Sequence, residues 1–145
     1  MTGMFDLSTF LPYLVNRAGV RLAANFSQVL KPHGIGIQEW RVLAALHVHG
    51  ALRMSALAEL TSIDRTTLSR LTARMQDASL IERGRTEDDG REVRIEMSDK
   101  GRAITDEMLP HARHYEEVAV AGLSEEEVTS LKDMLAKVYG NLDKL

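Results

Sequence analysis

Residues 64–101 read DRTTLSRLTARMQDASLIERGRTEDDGREVRIEMSDKG. Asp64 is a good helix N-cap, and helical periodicity follows it over Arg65–Ala78. On a wheel of about 100° per residue, Leu68, Leu71, Thr72 and Met75 fall together. Thr66, Ser69, Arg70, Ala73 and Arg74 fall on the other side. One face is therefore suited to a core, and the other carries short or cationic side chains. Leu80-Ile81 then opens a strand. Val93, Ile95 and Met97 alternate with Arg94 and Glu96, the period of a half-buried strand. Glu87-Asp88-Asp89-Gly90 lies between as a turn, its glycine able to take positive φ. Ser98 or Asp99 caps a further helix, so a helix, a hairpin and a helix follow in order.

Working upstream, Ser55 is expected to cap a short helix over Ser55–Leu60, with Leu57, Ala58 and Leu60 as its apolar face. Thr61-Ser62-Ile63 makes the turn into the Asp64 helix. Two helices joined by so short a turn form a helix-turn-helix. Before them, Ile37–His49 is expected as a helix with Trp40, Leu43, Ala44 and Leu46 on one side, ended by Gly50. The first helix is expected from a Ser8 or Thr9 cap, through Pro12 in its opening turn, to the breakers Pro32 and Gly34. Downstream, the fifth helix runs to about Ala121 with a kink at Pro110. Ser124-Glu125-Glu126-Glu127 is an S-x-x-E capping box that opens a sixth, to about Leu142. The fold class expected is mostly α, an α+β winged helix with six helices and a two-stranded hairpin wing.

Composition bounds the function. The chain has 145 residues, enough for one domain with helical extensions. It has no cysteine, which excludes disulfides, thiolate zinc sites and thiol redox switches. No apolar run is long enough to span a membrane, and the N-terminus lacks the basic start of a signal peptide. These features point to a cytoplasmic protein without membrane contact. The net charge is −3, but it is unevenly spread. Residues 1–52 carry +2, residues 53–102 balance at zero, and residues 103–145 carry −5. The acid is concentrated away from the helix-turn-helix, and local potential matters more than the total for a phosphate surface.

The polar face of the Arg65–Ala78 helix has the chemistry of a DNA-reading surface. Short side chains let the backbone approach a groove floor, a threonine methyl can touch thymine, and Arg70 suits a guanine edge. Recognition helices contact bases with their N-terminal residues. Candidate DNA contacts are Arg65, Thr66, Thr67, Ser69, Arg70 and Arg74 on the helix, with Arg85 and Arg91 on the hairpin. Arg91 follows the turn glycine and suits a narrow minor groove, where negative potential is concentrated. Asp89 is expected to pair with a nearby arginine and support the tip.

These segments resemble the MarR family of winged-helix transcriptional regulators over nearly the whole chain. Gln38-Glu39-Trp40-Arg41-Val42-Leu43 is similar to the family's second-helix motif, and Asp64-Arg65-Thr66-Thr67-Leu68-Ser69-Arg70-Leu71 to its recognition helix. Asp89-Gly90-Arg91 matches its D-x-R wing signature. Met97-Ser98-Asp99-Lys100-Gly101 stands where the family usually has Leu-Thr-x-x-Gly, and Gly122-Leu123-Ser124-Glu125-Glu126-Glu127 resembles the start of its last helix. Gly36 departs from the family's usual Thr or Ser cap. The resemblance implies an obligate homodimer joined through its N- and C-terminal helices, with residues 1–34 and 103–145 as the dimerisation region and 35–102 as the DNA-binding domain. It implies a pseudo-palindromic double-stranded operator, repression, and release by a small effector. The long apolar stripes of the terminal helices agree, since they exceed what a small winged-helix core needs. A two-fold dimer spaces its reading helices about 34 Å apart.

By the same resemblance, the effector is a small aromatic carboxylate or phenol. Tyr13, Arg17, Arg21, Trp40 and His111 are candidates for its ring wall and anion partner, with packing or a salt bridge as the alternative role for each. Arg17 and Arg21 are spaced i, i+4, which lets them clamp one carboxylate. His111 and His114 are spaced i, i+3, but no third ligand is placed near them by sequence, so neither a metal nor any other cofactor is assigned. The competing reading is a winged-helix protein-interaction module without DNA binding. That use favours exposed apolar or aromatic anchors, which the polar helix face lacks. Nucleophile elbow, phosphate loop and dinucleotide fingerprint are all missing from the sequence, so no enzyme is expected.

Overall fold

The computed structural model describes residues 3–85, 90 and 92–145. Its element order is α1 (Leu11–Leu30), α2 (Ile37–His49), β1 (Leu52–Arg53), α3 (Met54–Thr61), α4 (Arg65–Asp77), β2 (Ile81–Arg85), β3 (Val93–Met97), α5 (Asp99–Ala119) and α6 (Glu125–Asn141). The chain divides into two compact units, Met1–Ala112 and Arg113–Leu145.

In the first unit, helices α1 to α4 close around one core. Leu30, Val42, Leu43, Leu57, Leu68 and Ile95 are fully buried there. The expected faces of α4 are the observed ones. Leu68, Leu71, Thr72 and Met75 are buried, and Thr66, Ser69, Arg70 and Arg74 are exposed. Thr72 is tolerated inside because its hydroxyl donates to the Leu68 carbonyl at 2.8 Å. Phe26 of α1 meets the Trp40 ring edge-to-face at 5.8 Å, which ties the end of α1 to α2.

Three local expectations are corrected. Ser8 and Thr9 do not cap α1: they lie in a separate 3-10 turn capped by the Asp6 carboxylate, and α1 begins after Phe10 with Pro12 in its first turn. Ser55 does not cap α3, which starts one residue earlier at Met54. The Ser55 N–H instead donates to Glu92 at 3.0 Å, so a carboxylate from beside the hairpin does the capping. The sheet has three strands in the order β1-β3-β2, because Leu52 and Arg53 add to the outer edge of β3 opposite Ile95 and Arg94.

The β2–β3 register pairs Ile81 with Met97, Arg83 with Ile95 and Arg85 with Val93. Ile81 and Ile95 are buried, while Glu82, Arg94 and Glu96 face solvent. The sheet is joined to α5 by a close backbone approach. A Cβ on Gly101 would stand 2.1 Å from the Leu80 carbonyl oxygen, so only glycine fits there. Ser98 completes the joint. Its N–H donates to Leu80 O at 3.1 Å, its hydroxyl to Ser79 O at 2.5 Å, and its Oγ accepts from the Gly101 N–H at 3.0 Å. Helix α5 continues through Pro110.

In the second unit, α6 opens with the expected capping box. The Ser124 Oγ accepts from the Glu127 N–H at 3.1 Å, and the Glu127 carboxylate accepts from the Ser124 N–H at 3.0 Å. Lys132 pairs with Glu116 of the α5 end. No residue of α6 is buried within the chain, and Leu131, Met134, Leu135, Val138 and Leu142 remain exposed along one stripe.

Candidate nucleic-acid interface

Helix α4 takes its position from both ends. At its start, the Asp64 carboxylate accepts from the Thr67 N–H at 2.9 Å and the Thr67 hydroxyl at 2.6 Å. The Thr67 hydroxyl and N–H hold the Asp64 carboxyl below the usual carboxylate range. Before it, Ser62 takes the left-handed conformation at φ 55°, which turns the chain sharply from α3 into α4. At the far end, Arg83 of β2 reaches back to α4. Its Nε donates to Gln76 Oε1 at 3.0 Å and its Nη1 to Ser69 O at 3.3 Å. Lys100 of α5 donates to the Ala78 carbonyl at 3.0 Å. The helix and the hairpin are thus fastened into one body.

The outward surface of that body is polar and cationic. Arg65, Thr66, Ser69, Arg70 and Arg74 are exposed on α4. Thr67 is half-buried, its hydroxyl directed to Asp64. Arg85 is exposed at the end of β2, where its Nη1 donates to the Gly90 carbonyl at 3.4 Å. Arg91 and Asp89, expected at the tip, lie outside the described residues.

Glu92, which carried no role in the sequence reading, sits at the root of the hairpin. Besides capping α3 through Ser55, its carboxylate lies 3.7 Å from Arg53 and 3.8 Å from Arg65. Hydrogen bonding from Ser55, reinforced by Arg53 and Arg65, lowers its pKa. The only signal in the sequence was an acid directly after the hairpin arginine, and its partners are up to 39 residues away.

The residues expected at an effector site form separate groups. Arg17 lies over the Tyr13 ring at 5.5 Å, a cation–π contact on exposed α1. Arg21 is exposed one turn further on. Trp40 packs on Phe26 and also lines an open groove of about 440 Å³ with Arg41, Ala44, Leu60, Thr61 and Ser62. His111 lies 6.3 Å from the His33 ring, and His33 is 3.7 Å from Glu107. Among the described residues, no three His, Asp or Glu side chains are grouped as metal ligands would be.

A model of the MarR family matches residues 33–92. The regulator MgrA of Staphylococcus aureus is 31% identical over 119 residues, covering 81% of this chain and 79% of MgrA. This chain belongs to the MarR family. IacR, an HTH-type transcriptional repressor of Pseudomonas putida, is 26% identical over 141 residues, covering 97% of this chain and 84% of IacR. A solved structure of BpsR from Bordetella bronchiseptica superposes with a TM-score of 0.86 at 26% identity, covering 94% of this chain and 98% of that one. That structure concerns the regulation of BpsR DNA binding by 6-hydroxynicotinic acid. The resemblance read from the sequence is therefore borne out, and so is the winged-helix fold. The MarR relatives are transcriptional regulators rather than enzymes. No helix of the described residues is long and apolar enough to cross a membrane.

Proposed function

We propose that this MarR-family chain is a homodimeric repressor of a pseudo-palindromic operator, released by a small aromatic carboxylate or phenol. The observation that carries the reading is the exposed face of α4. It offers arginines, a threonine and a serine to a groove while its apolar residues are buried. Thr66, Ser69, Arg70 and Arg74 enter the major groove, Arg65 and Arg85 flank them on phosphate, and Thr67 acts through the Asp64 cap. Arg91 enters the minor groove with Asp89 as its support. Residues 35–102 form the DNA-binding domain.

Residues 1–34 and 103–145 form the dimerisation region. Leu11, Leu14, Val15 and Leu22 of α1 are exposed at helical spacing, as are Leu131, Met134, Leu135 and Val138 of α6, with Leu142 just past its end. Covering such stripes is the task of a second copy. The effector is held by Tyr13, Arg17, Arg21, Trp40 and His111. Arg17 supplies the anion partner and Tyr13 and Trp40 the ring wall. The chemistry of 6-hydroxynicotinic acid, an aromatic carboxylate named with BpsR, supports that class.

The test is to select duplexes from a random-sequence library with the purified protein and measure affinity against salt. The expected result is enrichment of an inverted repeat and an affinity that falls steeply with salt, as released counterions require. Arg70→Ala weakens binding to the enriched duplex about tenfold or more without changing the melting temperature. No enrichment, or an affinity indifferent to salt, rejects DNA reading.

A further inference from the structure

Glu92, at the root of the wing, lies beside the side chain of Arg65, the first residue of the reading helix. Its Oε1 accepts from the Ser55 N–H at 3.0 Å and lies 3.8 Å from Arg65 Nη2. Its Oε2 lies 3.7 Å from Arg53 Nη1. Arg65 is the first residue of α4, and its side chain remains 65% exposed. A cation at a helix N-terminus is poorly placed, because the helix dipole there favours an anion. Glu92 supplies an anion to the N-terminal end of α3 through the Ser55 N–H and to the guanidinium of Arg65, while Asp64 caps α4 itself.

We propose that Glu92 is a specificity-determining residue of DNA recognition. Its carboxylate holds Arg65 against the root of the wing and keeps that cation from engaging phosphate in every register. The proposal rests on the DNA-reading function of α4. A phosphate oxygen and the Glu92 carboxylate are chemically alike toward a guanidinium, so they compete for Arg65. At 3.8 Å the pair is loose enough to be exchanged. Held by Glu92, Arg65 is presented at one place, which suits only the register in which an operator seats. Released, it finds a phosphate on any duplex, and phosphate contacts carry no sequence information. Sequence-independent binding then rises at the expense of discrimination.

Glu92→Gln separates this role from simple capping. The amide keeps the size of the side chain and an oxygen to accept the Ser55 N–H, but it loses the charge that holds Arg65. Affinities are measured for a duplex enriched by the wild type and for a scrambled duplex of the same length and composition. The expected result is a gain of about fivefold on the scrambled duplex, with no gain on the enriched one. The salt dependence on scrambled DNA steepens by about one phosphate contact per protomer. Glu92→Asp, which restores the charge, returns the ratio toward wild type. In an Arg65→Ala background, Glu92→Gln no longer raises affinity for scrambled DNA.

An unchanged ratio in Glu92→Gln, an equal loss on both duplexes, or a gain that persists without Arg65 overturns the proposal. Failure of the wild type to enrich any sequence rejects DNA reading itself, and this proposal with it. Enrichment by the wild type with an unchanged ratio in Glu92→Gln rejects this proposal alone.

Discussion

Gly101→Ala sets two effects of opposite sign against each other. Gly101 lies in the first turn of α5, inside a helix, where replacing glycine with alanine ordinarily stabilises by up to about 1 kcal/mol. The added methyl would stand 2.1 Å from the Leu80 carbonyl oxygen and 3.0 Å from the Met97 Cγ. The first obstacle is backbone, and it already accepts the Ser98 N–H at 3.1 Å, so it does not swing aside like a flexible side chain. Restoring an ordinary contact moves α5 away from the β2 entry by about 1 Å. That displacement also loosens the Ser98 bonds to Ser79 and Leu80. Overpacking against a rigid neighbour costs about 1–3 kcal/mol, and each lost hydrogen bond about 1 kcal/mol more. The clash therefore outweighs the gain in propensity, with a net loss of about 2 kcal/mol or more. Thermal unfolding at fixed protein concentration is the assay, and the expected fall in melting temperature is about 5–10 °C. An unchanged or raised melting temperature would refute the close approach and, with it, the account of how α5 is joined to the wing.

The apolar stripe of α6 predicts that Leu135→Lys shifts the protein to monomer in sedimentation at micromolar concentration and weakens binding to an enriched duplex. A Leu135→Lys protein that stays dimeric contradicts the use of α6 as a dimer seam. Stability is also expected to fall in acid. Asp6, Asp64, Glu92 and Glu127 all have lowered pKa values in the folded chain, each mainly through hydrogen bonds that their charged forms accept. A lowered folded value means the contribution is present above the ordinary carboxylate pKa of about 4 and lost as pH falls through the folded value. The melting temperature is expected to be level above about pH 5 and to decline below about pH 4. A level profile down to about pH 3 would show that these caps contribute nothing.

What was legible in the sequence was whatever repeats at short range. The two faces of α4 follow from its periodicity, and Leu68 and Arg70 sit as the wheel places them. The alternation of Val93, Ile95 and Met97 fixed β3, and Ser124 with Glu127 announced the start of α6. What escaped was carried by contacts between distant residues. Strand β1 is two residues long, too short for any alternation, and exists because β3 offers it an edge. Ser55 has the residue type of a cap, yet Glu92 performs that job from 37 positions away. Arg83 clasps α4 through Gln76 and Ser69, seven and fourteen positions away, a contact that no local pattern announces. Tyr13, Arg17, Trp40 and His111 were grouped as ring wall and anion partner of the effector that the resemblance implies, and the chain places them in three separate contacts.

The Arg83 clasp has a kinetic consequence. Because Arg83 joins β2 to the Ser69 carbonyl and Gln76, the wing root and the proposed reading helix do not have to find each other on the duplex. Their relative freedom is surrendered during folding rather than at the encounter, which reduces the entropy lost on binding. Docking of a preorganised surface is governed by diffusion and electrostatic steering, so sequences are told apart by how long the protein stays rather than by how fast it arrives. Operator and non-operator duplexes should then share similar association rates and differ in residence time.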